Sequence, residues 1–115
     1  MHLVTGAIVT HCASRYIIAT HYIETHREPI NHKYSNSELH ARAAAKLVRK
    51  LGAQWTKKFE PGNKNVHPIN SPYCGKWVAG DMPKGAGFAF CYYGATDRQS
   101  GIEPGGFVQN CETEF

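Results

Sequence analysis

The stretch that decides the fold is SNSELHARAAAKLVRKLG, residues 35–52. Ser35 and Glu38 stand three apart, the spacing of a capping box, in which the serine oxygen accepts an orphan backbone N–H of the first helical turn. Gly52 stands where a left-handed C-cap would end the helix. Between them, at 100° per residue, Leu39, Ala43, Ala44, Leu47, Val48 and Leu51 fall within one half of the helical wheel. Arg42, Lys46 and Arg49 gather with Glu38 on the other side, and Lys50 lies at the border. This spacing predicts an amphipathic helix over 35–52. Burial of its leucines and valine contributes roughly 1.5 to 3 kcal/mol each toward docking on a sheet. His40 sits inside the apolar arc. The preferred reading is a satisfied core histidine, whose burial would lower its pKa; the other is a ligand facing a pocket.

Outward from the helix, residues 7–23 read as a β-hairpin. Ala7–Cys12 and Tyr16–Ile23 are rich in β-branched and aromatic residues and are separated by a short turn through residues 13–15. Residues 24–34, with Pro29 and many polar groups, read as a connection or a frayed strand end. Beyond Gly52 a long loop is expected over 53–75, punctuated by Pro61-Gly62, Pro68 and Pro72. A second hairpin follows, with strands Lys76–Ala79 and Gly87–Tyr93 joined through the Gly-rich turn 80–87. Residues 94–115, Gly-rich with four acidic residues, read as a loosely packed tail, tied down at most by Phe107 and Val108. The expectation is a single α+β domain over 1–115, with its core in 7–93. It has two layers in ββαββ order: an antiparallel sheet of two β-hairpins with one helix on one face.

Size and composition narrow the function. At 115 residues there is room for one core. A formal charge of +4 favours an acidic partner but is far below a nucleic-acid-binding tail. No apolar run approaches the roughly 18 to 20 residues of a membrane span. The first ten residues lack the pattern of a secretory leader, so the simpler expectation is a cytoplasmic site. The four cysteines, Cys12, Cys74, Cys91 and Cys111, form no C-x-x-C pair. Free thiols are the preferred reading; paired cysteines would mean a secreted protein. The seven histidines make no H-E-x-x-H or H-x-E-x-H pattern, so neither a metal nor a cofactor is expected.

The run LHARAAAKLVRKLG, a tryptophan shortly after it, and WVAGDMPKGAGFAF together resemble a group of small uncharacterised phage and plasmid proteins. The likeness rests on His40, Ala43, Ala44, Leu51, Gly52, Gly80 and Gly87 and covers about residues 7–93. It implies a mobile-element accessory protein and names no activity. The loop 53–75 and the tail depart from the pattern.

Enzyme classes fail on chemistry. The segment HARAAA echoes the zinc-deaminase helix, but Arg42 occupies the position of the proton-shuttling glutamate, and Cys74 has no second cysteine three residues on. His32-Lys33-Tyr34, Ser71-Pro72-Tyr73 and Phe107–Cys111 are similar to segments of the small fungal ribonucleases. That resemblance implies His32 or Glu60 as an acid–base residue and a Cys12–Cys111 disulfide. Cleavage needs a second proton carrier, and no histidine follows His67.

The sequence therefore points to a non-enzymatic accessory protein that binds and modulates a host protein of acidic surface, in the manner of an anti-defence inhibitor. The expected contact residues are Arg42, Lys46, Arg49, Lys50, Lys57 and Lys58, with Trp55, Phe59, Tyr73 and Trp77 as aromatic anchors. Direct nucleic-acid binding through the basic helix face is the first alternative. A ribonuclease-like secreted effector is the second.

Overall fold

The computed structural model describes residues 4–59, 62 and 72–110. Strands β1 (Ile8–Ala13), β2 (Tyr16–His21) and β3 (Glu24–Pro29) precede the helix α1 (Asn36–Phe59). Strands β4 (Gly75–Asp81), β5 (Phe88–Gly94), β6 (Gly101–Glu103) and β7 (Gly106–Gln109) follow it. All seven join one antiparallel sheet in the order β3-β2-β1-β5-β4-β7-β6. The α+β class holds, whereas the ββαββ order is corrected. Contacts of α1 reach from β3 at one edge to β6 at the other, so the sheet curls around the helix instead of lying flat beneath it.

Three local expectations change, each for a physical reason. Residues 24–29 are a full strand, because their inward side chains, Glu24 and Glu28, meet lysines of the helix. The expected tail contains the hairpin β6–β7. Every residue of β7 is buried, and Phe107 stacks on Trp77 at 6.1 Å and tilts against Phe90 at 5.4 Å. The helix begins as expected, with the Ser35 Oγ accepting the Glu38 N–H at 3.3 Å. It does not stop at Gly52. That glycine is buried inside the helix, and its carbonyl accepts the Thr56 hydroxyl at 3.0 Å. A mid-helix glycine costs about 1 kcal/mol relative to alanine, and burial of Leu51 and Thr56 offsets it. Of the expected loop 53–75, residues 53–59 are therefore helical; most of the remainder lies outside the described residues.

The core lies between α1 and the concave face of the sheet. Ile8, Ile17 and Ala19 enter from the first strands, and Trp77, Phe90 and Phe107 from the later ones. Ala41, Ala43, Ala44, Ala45, Leu47 and Val48 enter from the helix. Short alanine side chains let the helix settle close to the strands. Gln109 Nε2 reaches it, donating to the Ala45 carbonyl at 3.1 Å. The pairing of β1 with β5 joins the two halves of the sheet. Gly87 makes that junction possible: its φ is +130°, and a Cβ there would collide with the Thr10 carbonyl. At the β3 edge, Lys50 Nζ donates to the Thr25 carbonyl at 2.9 Å, and the strand ends in Pro29. At the other edge β6 has only three residues.

Candidate functional site

The cationic side of α1 lies over β3. Lys46 Nζ is 2.6 Å from Glu28 Oε1, and Lys50 Nζ is 3.5 Å from Glu24 Oε2. The Arg42 guanidinium lies over the Tyr34 ring at 4.3 Å, and Arg49 is half-buried. Within this group, Lys46 and Lys50 already have carboxylate partners in the same chain. Trp77 requires a correction. It sits on β4, between β5 and β7, is fully buried, and donates its indole N–H to the Tyr73 carbonyl at 3.0 Å. It is an interior residue and no surface anchor. Tyr73 packs half-buried against the core.

The remaining expected contact residues collect at one end of the molecule. The helix runs antiparallel to β3, and Gln54 bonds to Glu24 at 3.2 Å. The last turn of the helix, with Trp55, Lys57, Lys58 and Phe59, is therefore at the same end of the molecule as the β2–β3 turn. Trp55 and Phe59 are in ring contact at 5.4 Å, Phe59 is 46% exposed, and both lysines are exposed. The turn itself adds two residues that sequence reasoning missed. Ile23 is 92% exposed and Tyr22 is 68% exposed. Tyr22 holds a left-handed φ of +54°, with its hydroxyl 3.2 Å from the Thr5 Oγ1 and its ring edge-on to His21 at 4.7 Å. His21 is itself fixed, its Nε2 lying 2.8 Å from the Thr5 carbonyl and its ring 5.9 Å from Tyr73. The two-residue turn was the available signal, but an apolar pair in place of Gly or Asn concealed it.

Two places gather titratable groups. Glu28, His32, Tyr34 and Arg42 line a hollow of about 550 Å³ between β3 and α1. Burial pushes the Glu28 carboxyl up, but the hydrogen bonds and charges of Lys46 and His26 together outweigh it and hold the group below its ordinary value. His26 Nε2 takes the second carboxylate oxygen at 2.9 Å. A carboxylate with a partner on each oxygen is a weak proton acceptor, which counts against acid–base cleavage here. Glu60 and Cys111 lie outside the described residues, and Cys12 and Cys91 are free thiols.

His40 is buried at 2% exposure, with Nδ1 2.7 Å from the Thr10 Oγ1 and its ring edge-on to Phe88. Burial, with a smaller contribution from the charge of His11, holds its pKa below the ordinary value and keeps it neutral. Among the described residues no group of three His, Cys, Asp or Glu could hold a metal ion. No helix there is long and apolar enough to cross a membrane. No family model, curated protein or solved structure matches the chain.

Proposed function

We propose that this chain acts without catalysis, by docking on a partner protein through the Tyr22–Ile23 turn and the adjoining helix end Trp55–Phe59. The observation that carries this reading is the exposure of Ile23 and Tyr22 on a two-residue turn, at the end of the molecule that also carries the half-exposed Phe59. Large apolar side chains grouped at one exposed place are characteristic of contact surfaces. Lys57 and Lys58 border the patch and select an acidic partner. The resemblance of the helix and Gly-rich hairpin to phage and plasmid proteins supports a host protein as that partner, modulated in the cytoplasm of the host cell in the anti-defence manner. The nucleic-acid alternative draws less support, because Lys46 and Lys50 are engaged by Glu28 and Glu24.

The test is capture from a nuclease-treated host lysate with the intact chain and with Ile23→Asp. The expected result is one protein held by the parent and lost with the variant, while the variant keeps its fold. Recovery of nucleic acid alone, or a partner indifferent to Ile23, overturns the reading. The ribonuclease alternative has its own check. Purified protein should leave single-stranded RNA intact, and His32→Ala should leave the biological effect unchanged.

A further inference from the structure

We propose that the groove at the Pro29 end of β3, beside the first turns of α1, is a second binding site, and that it takes an acidic peptide segment. The docking patch lies at the Glu24 end of the same strand, and none of its residues lines the groove.

Two hollows of about 550 and 480 Å³ adjoin there and share Pro29, Ile30 and His32. Each is in the size range of ligand sites. Arg42 lines the first and Arg15 the second. The floor is aliphatic: Leu39 is buried, and Ile30 packs half-buried against the core. The walls are fixed by bonds within the chain. The Ile30 N–H donates to the Arg15 carbonyl at 3.0 Å, and the Tyr34 N–H to the Asn31 carbonyl at 3.1 Å. The Asn31 Oδ1 accepts the Lys33 N–H at 3.0 Å, and the Arg42 guanidinium is held over the Tyr34 ring. Walls set before a ligand arrives avoid much of the ordering cost of binding.

The charges select an anionic occupant. Glu28 is the one carboxylate in either lining, and its two oxygens are taken by Lys46 and His26. Arg15, His32 and Lys33 have no carboxylate partner among the described residues. Glu38, one turn before Arg42, lines a different hollow with Asp81. Positive charge is therefore in surplus along an apolar floor, with one arginine in each hollow. The planar fork of an arginine meets a carboxylate with two parallel N–H donors, so a segment carrying two spaced carboxylates answers both.

A nucleic-acid strand suits the same groove poorly. Bases stack on open ring faces. Here the Tyr34 ring has Arg42 over it, which leaves Tyr16 as the one other ring in the lining. Pro29, Ile30 and Leu39 offer aliphatic contact instead, which suits the side chains of a peptide. An extended segment of alternating acidic and aliphatic residues turns one set toward the floor and the other toward the rim.

The test measures, by fluorescence anisotropy, binding of the intact chain to a labelled hexapeptide, Asp-Leu-Glu-Leu-Asp-Leu. Its neutral counterpart Asn-Leu-Gln-Leu-Asn-Leu and a labelled thymidine hexanucleotide serve as comparisons. The acidic peptide should bind saturably, and the other two markedly more weakly. Arg15→Gln and Arg42→Gln should each weaken the acidic peptide about tenfold, the scale of a lost charge-assisted bond. Arg15 is exposed, so its variant keeps the fold and decides the result if Arg42→Gln loosens Tyr34. Arg27→Gln removes a charge from the other face of β3, and Ile23→Ser alters the docking patch; both should bind as the parent does. An equal loss in Arg27→Gln would reduce the attraction to net charge, and a loss in Ile23→Ser would move the peptide to the patch. Either of those results overturns the proposal, as does an absence of saturable binding or an indifferent Arg15→Gln. Equal binding of the neutral peptide, or equal or tighter binding of the hexanucleotide, overturns it too.

Discussion

Ahead of the helix, β1–β3 meet α1 with slender side chains and charge: Ile17 and Ala19 against the alanines, then Glu28 against Lys46 and Glu24 against Lys50. After the helix, β4, β5 and β7 meet it with rings, Phe107 touching both Trp77 and Phe90. One helix is thus held on two sides by different forces. Apolar area leaves water on the ring side, so the free energy of folding is concentrated there. On the β3 side the ion pairs fix where the edge strand lies, but part of their Coulombic gain is lost to desolvation and to screening of the exposed lysines.

The largest expected effect tests the ring side. Trp77→Ala should cost about 3–5 kcal/mol of stability, read from urea unfolding, because it removes the largest fully buried side chain and leaves a cavity between Phe107 and Tyr92. A loss no greater than that of an ion-pair variant would break the contrast.

The charged side should respond less and in a pH-dependent way. Glu28→Gln should cost about 1 kcal/mol at neutral pH, a figure discounted because the Lys46 side chain is 38% exposed. The folded-state pKa of Glu28 lies below its ordinary 4.5, so its contribution is complete above that value and is lost as pH falls through the lower, folded one. The stability difference between parent and variant should therefore be flat above pH 4.5 and shrink below it. A difference constant down to the acid transition would show that the pair does nothing for β3.

His40 gives a third, separable window. Its folded pKa lies below 6.5, so the unfolded chain takes up the proton first, and stability declines as pH falls below 6.5 toward the folded value. In His40→Gln that part of the decline should disappear. An unchanged slope would locate the proton uptake elsewhere. The smallest effect belongs to the tip: Ile23→Asp should alter stability by no more than about 0.5 kcal/mol, since the residue is 92% exposed. A larger loss would mean that the turn belongs to the core.

The contrast between the two sides also explains what could be read from the sequence. The helix was legible because capping and 3.6-residue periodicity are local and agree with each other. The strand β3 was not, since its inward positions, Glu24, His26 and Glu28, look solvated until Lys46 and Lys50 are brought opposite by the fold. Gly52 misled for the same reason: its local preference for a C-cap is overridden by tertiary burial. β7 is short and follows glycines, so nothing within its four residues announces that Phe107 meets Trp77. Trp55, Lys57, Lys58 and Phe59 enter the proposed docking patch by their position in the sequence alone, whereas Trp77 was assigned to the surface because its depth depends on β7. Tyr22 and Ile23 were read as the end of a strand. The ring of His40 meets Phe88 from far along the chain, and no spacing encodes that meeting.

The treatment of the β3 edge bears on how the protein behaves among its own copies. An open strand edge is a template on which another chain can add a strand, and long flat edges seed aggregates. Here the Thr25 carbonyl is capped by Lys50, and Pro29 brings no N–H to the edge. Arg27 lies exposed on the strand between them, a charge that an incoming strand would have to bury. At the far side, three residues of β6 offer too short a ladder to hold a newcomer. Both edges of the seven-stranded antiparallel sheet are therefore poor templates for an added strand.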